Sequence, residues 1–232
     1  SVLVLTAAFL TFVSGCHNPR LPERPRWKPY TYEPAPVPEI VPPDSPTAPA
    51  LVEDLSLAKA AGLEALAPSL SVPNLFAWRH IVLHHSATEE GNAAKFDVEH
   101  KKRGGDGLGY HFGIGNGHGS GDGQIEVGWR WRQQREGAHA GTGNVEYNRF
   151  GIGICLVGNF EKKAPTAKQT DSLVRLMRYL MSRCAIPAKE VVGHKTVRPA
   201  PTDCPGKLFP MGEILRRCAE PAISIFRLAA PT

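Results

Sequence analysis

The sequence predicts an α/β fold: a single domain over residues 75–220, with a central mixed β-sheet flanked by helices. Three observations lead there. Phe150 to Val157 (Phe-Gly-Ile-Gly-Ile-Cys-Leu-Val) is apolar throughout, as in a central strand buried on both faces. Thr166-Ala-Lys-Gln169 is a capping box, and it opens a helix through about Cys184 with Leu173, Leu176, Met177 and Leu180 on one stripe. Gly109–Ile114 and Gln124–Val127 alternate around a Gly-rich turn, as a hairpin does. A hairpin set among alternating strands and helices gives a mixed sheet, and about 145 residues suit one core.

Taken from the start, residues 2–15 are almost entirely apolar and carry no charge. A spanning helix needs about 20 such residues, so this run has instead the length of a signal-peptide core. It ends in Val13-Ser14-Gly15-Cys16, which resembles the lipobox of bacterial lipoproteins. Residues 1–16 are therefore expected to be a signal peptide with lipobox. That implies export to the cell envelope and a lipid anchor at Cys16, on the periplasmic or outer-membrane side. Eleven of the 21 prolines lie between Pro19 and Pro49. A segment of that composition buries no core and favours extended polyproline II, so residues 17–50 read as a spacer reaching on the order of 100 Å. Residues 51–74 carry Leu51, Leu55, Leu57, Leu63, Leu66 and Leu70 among Ala, Glu and Lys. They read as a helical extension packed on the domain, with no chemistry of its own.

Within the domain, Trp78 to Ser86 is the first strand. Asn92 caps a helix over Ala93–Arg103, which Gly104-Gly105 ends. The Gly-rich turn over 115–123 is no phosphate loop, because no Gly-Lys-Ser/Thr follows and a hairpin surrounds it. Pro187 follows the long helix, Val191-Val192 leads into Gly193-His194, and a last helix lies around Met211–Cys218. Residues 221–232 form a tail.

Net charge is +5 and the pI is near 9.0, spread along the chain without a Lys/Arg block. That argues against nucleic acid and suits an anionic polymer. The five cysteines lack zinc-ribbon spacing. Cys155 reads as a core residue, and Cys184 and Cys218 are candidates for a disulfide in an exported protein. His194 and Cys204 stand ten positions apart in a stretch stiffened by Pro199, Pro201 and Pro205. Far upstream, the apolar Ile81-Val82-Leu83 ends in His84-His85, as a strand does when it delivers a ligand to a cleft. Two His and one Cys leave a fourth coordination position open, the pattern of a catalytic rather than a structural zinc site.

Five segments recur in an order that resembles one family. They are His84-His85-Ser86-Ala87-Thr88, Gly109-Tyr110-His111-Phe112, Gly137-Ala138-His139-Ala140, Gly151-Ile152-Gly153-Ile154 with Gly158-Asn159-Phe160, and Gly193-His194 with Asp203-Cys204-Pro205-Gly206. They look like the zinc-dependent N-acetylmuramoyl-L-alanine amidases, a group that includes phage lysozyme-type amidases and peptidoglycan-recognition proteins. The resemblance covers about residues 76–218. It implies Zn2+ held by His84, His194 and Cys204, with Tyr110 as catalytic tyrosine and Thr202 beside the cysteine as a second donor to developing charge. His85 is then a core histidine on the opposite face from His84. His139 is expected to line the substrate cleft, with Asn144 as a further substrate-binding residue. His17, His80, His100 and His118 are taken as non-functional. Trp129, Trp131, Arg130, Arg132 and Arg135 either stack on sugars and attract carboxylates or pack among themselves.

The implied reaction is hydrolysis of the amide between N-acetylmuramic acid and L-alanine of the peptidoglycan stem peptide. The alternative from another class is a non-catalytic peptidoglycan-binding module. Such members typically lack the cysteine ligand, which Cys204 supplies here. A cytosolic recycling amidase is disfavoured by the Cys16 lipobox, by Cys204 where that branch has Asp, and by the absence of a Glu on the central strand.

Overall fold

The computed structural model describes residues 48–197 and 201–220. The expected signal segment, lipobox Cys16, most of the proline spacer, Pro199 and the C-terminal tail lie outside the described residues.

The chain enters through helix α1 (Ala48–Ala60), a 3-10 turn at Glu64–Leu66 and α2 (Ala67–Leu70). Strand β1 (His80–His85) and α3 (Ala93–Lys102) follow, then the hairpin β2 (Phe112–Ile114) and β3 (Ile125–Val127). Two short helices, α4 (Trp129–Arg132) and α5 (Val145–Arg149), precede β4 (Gly151–Leu156). The long α6 (Ala167–Arg183) leads to β5 (Val191–Gly193), the single turn α7 (His194–Val197) and α8 (Met211–Ala219). The five strands form one sheet in the order β3-β2-β4-β1-β5. All neighbours are parallel except β2 and β3, so the sheet is mixed as predicted.

Local chemistry explains the elements. The Asn92 side chain accepts from Lys95 N–H and starts α3. Thr166 and Gln169 form the reciprocal capping box of α6. The Gln169 amide also donates to the carbonyls of Ile114 and Val157, tying the start of α6 to the ends of β2 and β4.

The strands divide their side chains by parity. Ile81 and Leu83 of β1, Phe112 and Ile114 of β2, and Ile152, Ile154 and Leu156 of β4 join Leu173, Leu176, Met177 and Leu180 of α6 in the main core. Ile214 of α8 and Leu63, Leu70 and Val72 of the N-terminal extension complete it. The opposite face of β4 carries Gly151, Gly153 and Cys155. It is buried as well, and its small residues let neighbouring groups such as the His139 ring approach the sheet closely.

The extension does more than pack apolar surface. Asp54 of α1, 1% exposed, is paired with Arg183 and accepts from the Tyr179 hydroxyl at 3.4 Å. The aromatic-basic run is likewise spent on the fold. Trp131 is fully buried and donates to Leu70 O at 2.9 Å. Arg130 is buried, pairs with Asp106 and donates to Leu108 O at 2.6 Å. Trp131 and Arg130 are therefore unavailable for stacking on sugars.

Cys184 and Cys218 are free thiols. Cys218 Sγ lies 4.0 Å from Val174 O, ten residues up α6 from Cys184. At a rise of 1.5 Å per residue that is roughly 15 Å, well beyond disulfide reach. Among the described residues no helix is long and apolar enough to cross a membrane.

Candidate active site

Parallel register assembles the site. Leu83 of β1 lies beside Gly193 of β5, so the residues that follow them, His84 on β1 and His194 at the start of α7, emerge side by side. Their ring centroids are 4.5 Å apart. The loop carrying Cys204 is fastened by a bond from Lys195 N–H to Cys204 O at 2.7 Å. Gly193 permits this closeness, since a Cβ there would stand 3.0 Å from Pro205 Cδ. Gly206 takes a positive φ of 104°, where a side chain would be strained and would strike the Phe160 backbone at 2.5 Å.

The ligating atoms of His84, His194 and Cys204 lie within 4.8 Å of one another. Cys204 Sγ is 3.7 Å from His84 Nδ1. All three residues are buried. Two imidazoles and a sulfur converge from three segments, a donor set that could hold a metal ion such as zinc. Burial holds His84 well below the usual imidazole range, with His139 and His194 adding to the shift. The ring is therefore neutral and has a lone pair to offer.

Tyr110, half-buried just before β2, has its ring 5.1 Å from that of His84. Burial, reinforced by Cys155 and Cys204, pushes its phenol well above the usual range, so it remains a donor. His100 supports this segment: its Nδ1 accepts from Gly109 N–H at 3.0 Å and its ring lies 5.5 Å from Tyr110. The Thr202 hydroxyl oxygen accepts from Cys204 N–H at 3.3 Å. Its own proton stays available to a further acceptor.

His85 turns away from His84 and works inside the protein. Its Nδ1 accepts from Phe160 N–H at 3.1 Å, and its ring is tilted on Phe160 at 5.8 Å. Cys155, in register with His84 on the adjacent strand, is buried as a core residue.

Two expected substrate-binding residues are engaged elsewhere. Asn144 is the N-cap of α5, accepting from Tyr147 N–H at 3.5 Å, and its amide donates to Val197 O. It fastens α5 to α7. His139 is 6% exposed, with one ring nitrogen 3.1 Å from His84 Nε2 and the other 3.1 Å from Gly151 O. As placed, neither nitrogen is open to a substrate.

His111, to which the sequence alone assigns no role, is fully buried. Its Nδ1 accepts from Gly153 N–H at 3.0 Å and its Nε2 donates to Arg135 O at 2.9 Å. The available signal was its place in Tyr110-His111-Phe112, where alternation points it away from the core face of Phe112 toward the same side as His139.

Residues 74–207 match the family described as N-acetylmuramoyl-L-alanine amidase, and the chain belongs to that family. Among solved structures it is similar to the endolysin N-acetylmuramoyl-L-alanine amidase LysCS from Clostridium intestinale URNW. The identity is 36%, the coverage 61% of this chain and 84% of that one, and the TM-score 0.51. Bumblebee PGRP-SA is similar at 30% identity, with 60% of this chain and 82% of that one covered and a TM-score of 0.49. A peptidoglycan recognition protein of Trichoplusia ni is 36% identical over 70 residues, 30% of this chain. That match spans 37% of the insect protein, little more than a third of its length.

Proposed function

We propose that this protein is a zinc-dependent peptidoglycan amidase that hydrolyses the amide between N-acetylmuramic acid and L-alanine of the stem peptide. The observation that carries the reading is the convergence of His84, His194 and Cys204, with ligating atoms within 4.8 Å, inside a chain of the amidase family. The endolysin similar at 36% identity is named as such an amidase.

These residues fit the metal. Neutral imidazoles and a thiolate are its preferred donors, and three protein ligands leave one position open. His85 N–H, 3.4 Å from Cys204 Sγ, favours the charged sulfur. When bound, zinc polarises the scissile carbonyl and makes water nucleophilic near neutral pH. The chain's own groups do the remaining work. The Tyr110 phenol donates to the oxygen that gains charge as the carbonyl is attacked, and the Thr202 hydroxyl is the second donor. The half-buried setting of Tyr110 strengthens that bond relative to water.

In the same reading, lipidated Cys16 anchors the protein in the cell envelope and the proline-rich spacer lets residues 75–220 reach the wall. A single acyl chain holds only marginally, so the anchor needs the several chains of a mature lipoprotein.

The test is to mix purified protein with peptidoglycan, with and without a chelator, and identify products by mass spectrometry. Release of stem peptides beginning with L-alanine, lost with chelator and restored by zinc, is expected. Bound but uncut peptidoglycan in the presence of zinc would instead establish a binding module.

A further inference from the structure

His84 uses both edges of its ring. Nδ1 faces Cys204 Sγ at 3.7 Å, and Nε2 faces His139 Nδ1 at 3.1 Å. His139 in turn meets Gly151 O through Nε2 at 3.1 Å. A carbonyl accepts only, so His139 Nε2 carries the hydrogen. In a neutral ring that leaves His139 Nδ1 bare, and His84 Nε2 must then be the N–H that donates to it. The lone pair of His84 is thereby fixed on Nδ1, the edge turned to Cys204. One backbone carbonyl of β4 sets the tautomer of both rings.

The surroundings of His139 are built to hold it there. Asn148 Oδ1 accepts from His139 N–H at 2.9 Å and from Ala140 N–H at 2.8 Å, fixing the backbone. A Cβ on Gly153 would lie 2.4 Å from His139 Cδ2, and one on Gly137 would lie 2.3 Å from the same atom. Neither glycine has a positive φ, so the backbone does not call for glycine at either place. The ring does.

We propose that His139 is the positioning residue of the metal site: it holds His84 in the tautomer and orientation that present Nδ1 to the ion. The proposal rests on the zinc reading above. It assigns His139 an acceptor role toward a ligand rather than contact with substrate, and makes Gly137 and Gly153 the sockets for its ring. Groups that orient a metal-bound histidine are generally worth about 10- to 100-fold in metal affinity.

Two substitutions separate the ring's edges. In His139→Asn the side-chain oxygen takes the place of Nδ1, so the acceptor for His84 is kept. In His139→Gln the terminal amide takes the place of Nε2, and nothing accepts from His84. Zinc affinity is measured on the full protein by competition with a chromophoric chelator, with circular dichroism confirming the fold of each variant. The expected result is that His139→Gln binds zinc at least 10-fold more weakly than wild type, while His139→Asn stays within about threefold. Equal affinities for the two variants, or wild-type affinity in His139→Gln, would overturn the proposal. If the Gln variant does not fold, a loss of 10-fold or more in His139→Asn overturns it and near wild-type affinity upholds it. If neither variant folds, His139 serves the core alone and the proposal is rejected. Failure of the wild-type protein to bind zinc stoichiometrically is a different result, and it removes the amidase reading itself.

Discussion

His85 and Cys204, 119 residues apart in sequence, meet through the backbone: the amide N–H of His85 points at the sulfur of Cys204 at 3.4 Å. The strand that carries one candidate ligand, His84, thus also supplies a hydrogen bond to another. A hydroxyl at position 204 would meet the same N–H but would not supply the soft, charged donor that zinc favours. Cys204→Ser is therefore expected to lose peptidoglycan cleavage and to bind zinc much more weakly, by about 100-fold or more, with its fold retained. Normal turnover with stoichiometric zinc in that variant would remove Cys204 from the site.

Tyr110→Phe keeps the ring that packs at 5.1 Å from His84 and removes only the hydroxyl. Loss of one donor to a developing oxyanion costs about 100- to 1000-fold in kcat, with much less change in KM. Steady-state kinetics on a defined muropeptide checks this. An unchanged kcat would mean that the phenol takes no part.

The metal-free protein should weaken as it is acidified. Burial holds His84 and His111 well below the ordinary imidazole value, and His139 down to about 3. The unfolded chain takes up these protons first, beginning below about pH 6.5. Stability is then fully present above that pH and is lost as pH falls toward the folded values. Each histidine contributes at most about 1.4 kcal/mol per pH unit. Urea midpoints should fall steadily from pH 7 to pH 5, and a flat profile would show that these rings are solvated.

Asp54→Ala tests whether the N-terminal extension belongs to the fold. The carboxylate is 1% exposed, and its partner Arg183 has a side chain 13% exposed. Removing one member of a buried pair costs about 3–5 kcal/mol. Chemical denaturation would show this as a lower midpoint. A loss below about 0.5 kcal/mol would mean that α1 contributes little to stability.

At α6, Thr166→Ala removes the cap on Gln169 N–H, a 3.0 Å bond. The expected cost is about 1 kcal/mol, read from the same titration. Activity should be unaffected, because α6 lies on the core face of the sheet.

Much of this was legible in the sequence, for identifiable reasons. Strands β1 and β4 announce themselves as apolar runs, and α3 and α6 by their caps, because those signals are local. The internal hydrogen bonds of Asn144 and His139 show what local signals miss. Asn144 heads a helix of five residues, too short to display a periodicity, so its capping role was hidden. His139 reads as an ordinary loop histidine. It becomes internal because Gly153, fourteen residues on and in the middle of β4, leaves a hole the size of its ring. Likewise Arg130 and Trp131 look like an exposed basic-aromatic run until Asp106 and the Leu70 carbonyl come to meet them. Such meetings are made by the sheet order, which no short stretch of sequence records.

The order β4-β1-β5 also has a temporal meaning. The strand bearing His84 sits between two partners that follow it, and the last of them is synthesised more than a hundred residues later. A chain still emerging can pair β1 with β4, yet it holds only one of the three candidate ligands. His194 and Cys204 arrive together at the far end, one directly after the final strand and one on the loop locked to the turn that follows it. The His-His-Cys cluster is thus a closing clasp: its members meet only when the C-terminal segment docks, and a chain truncated before residue 194 would have a nearly whole sheet and one member of the three.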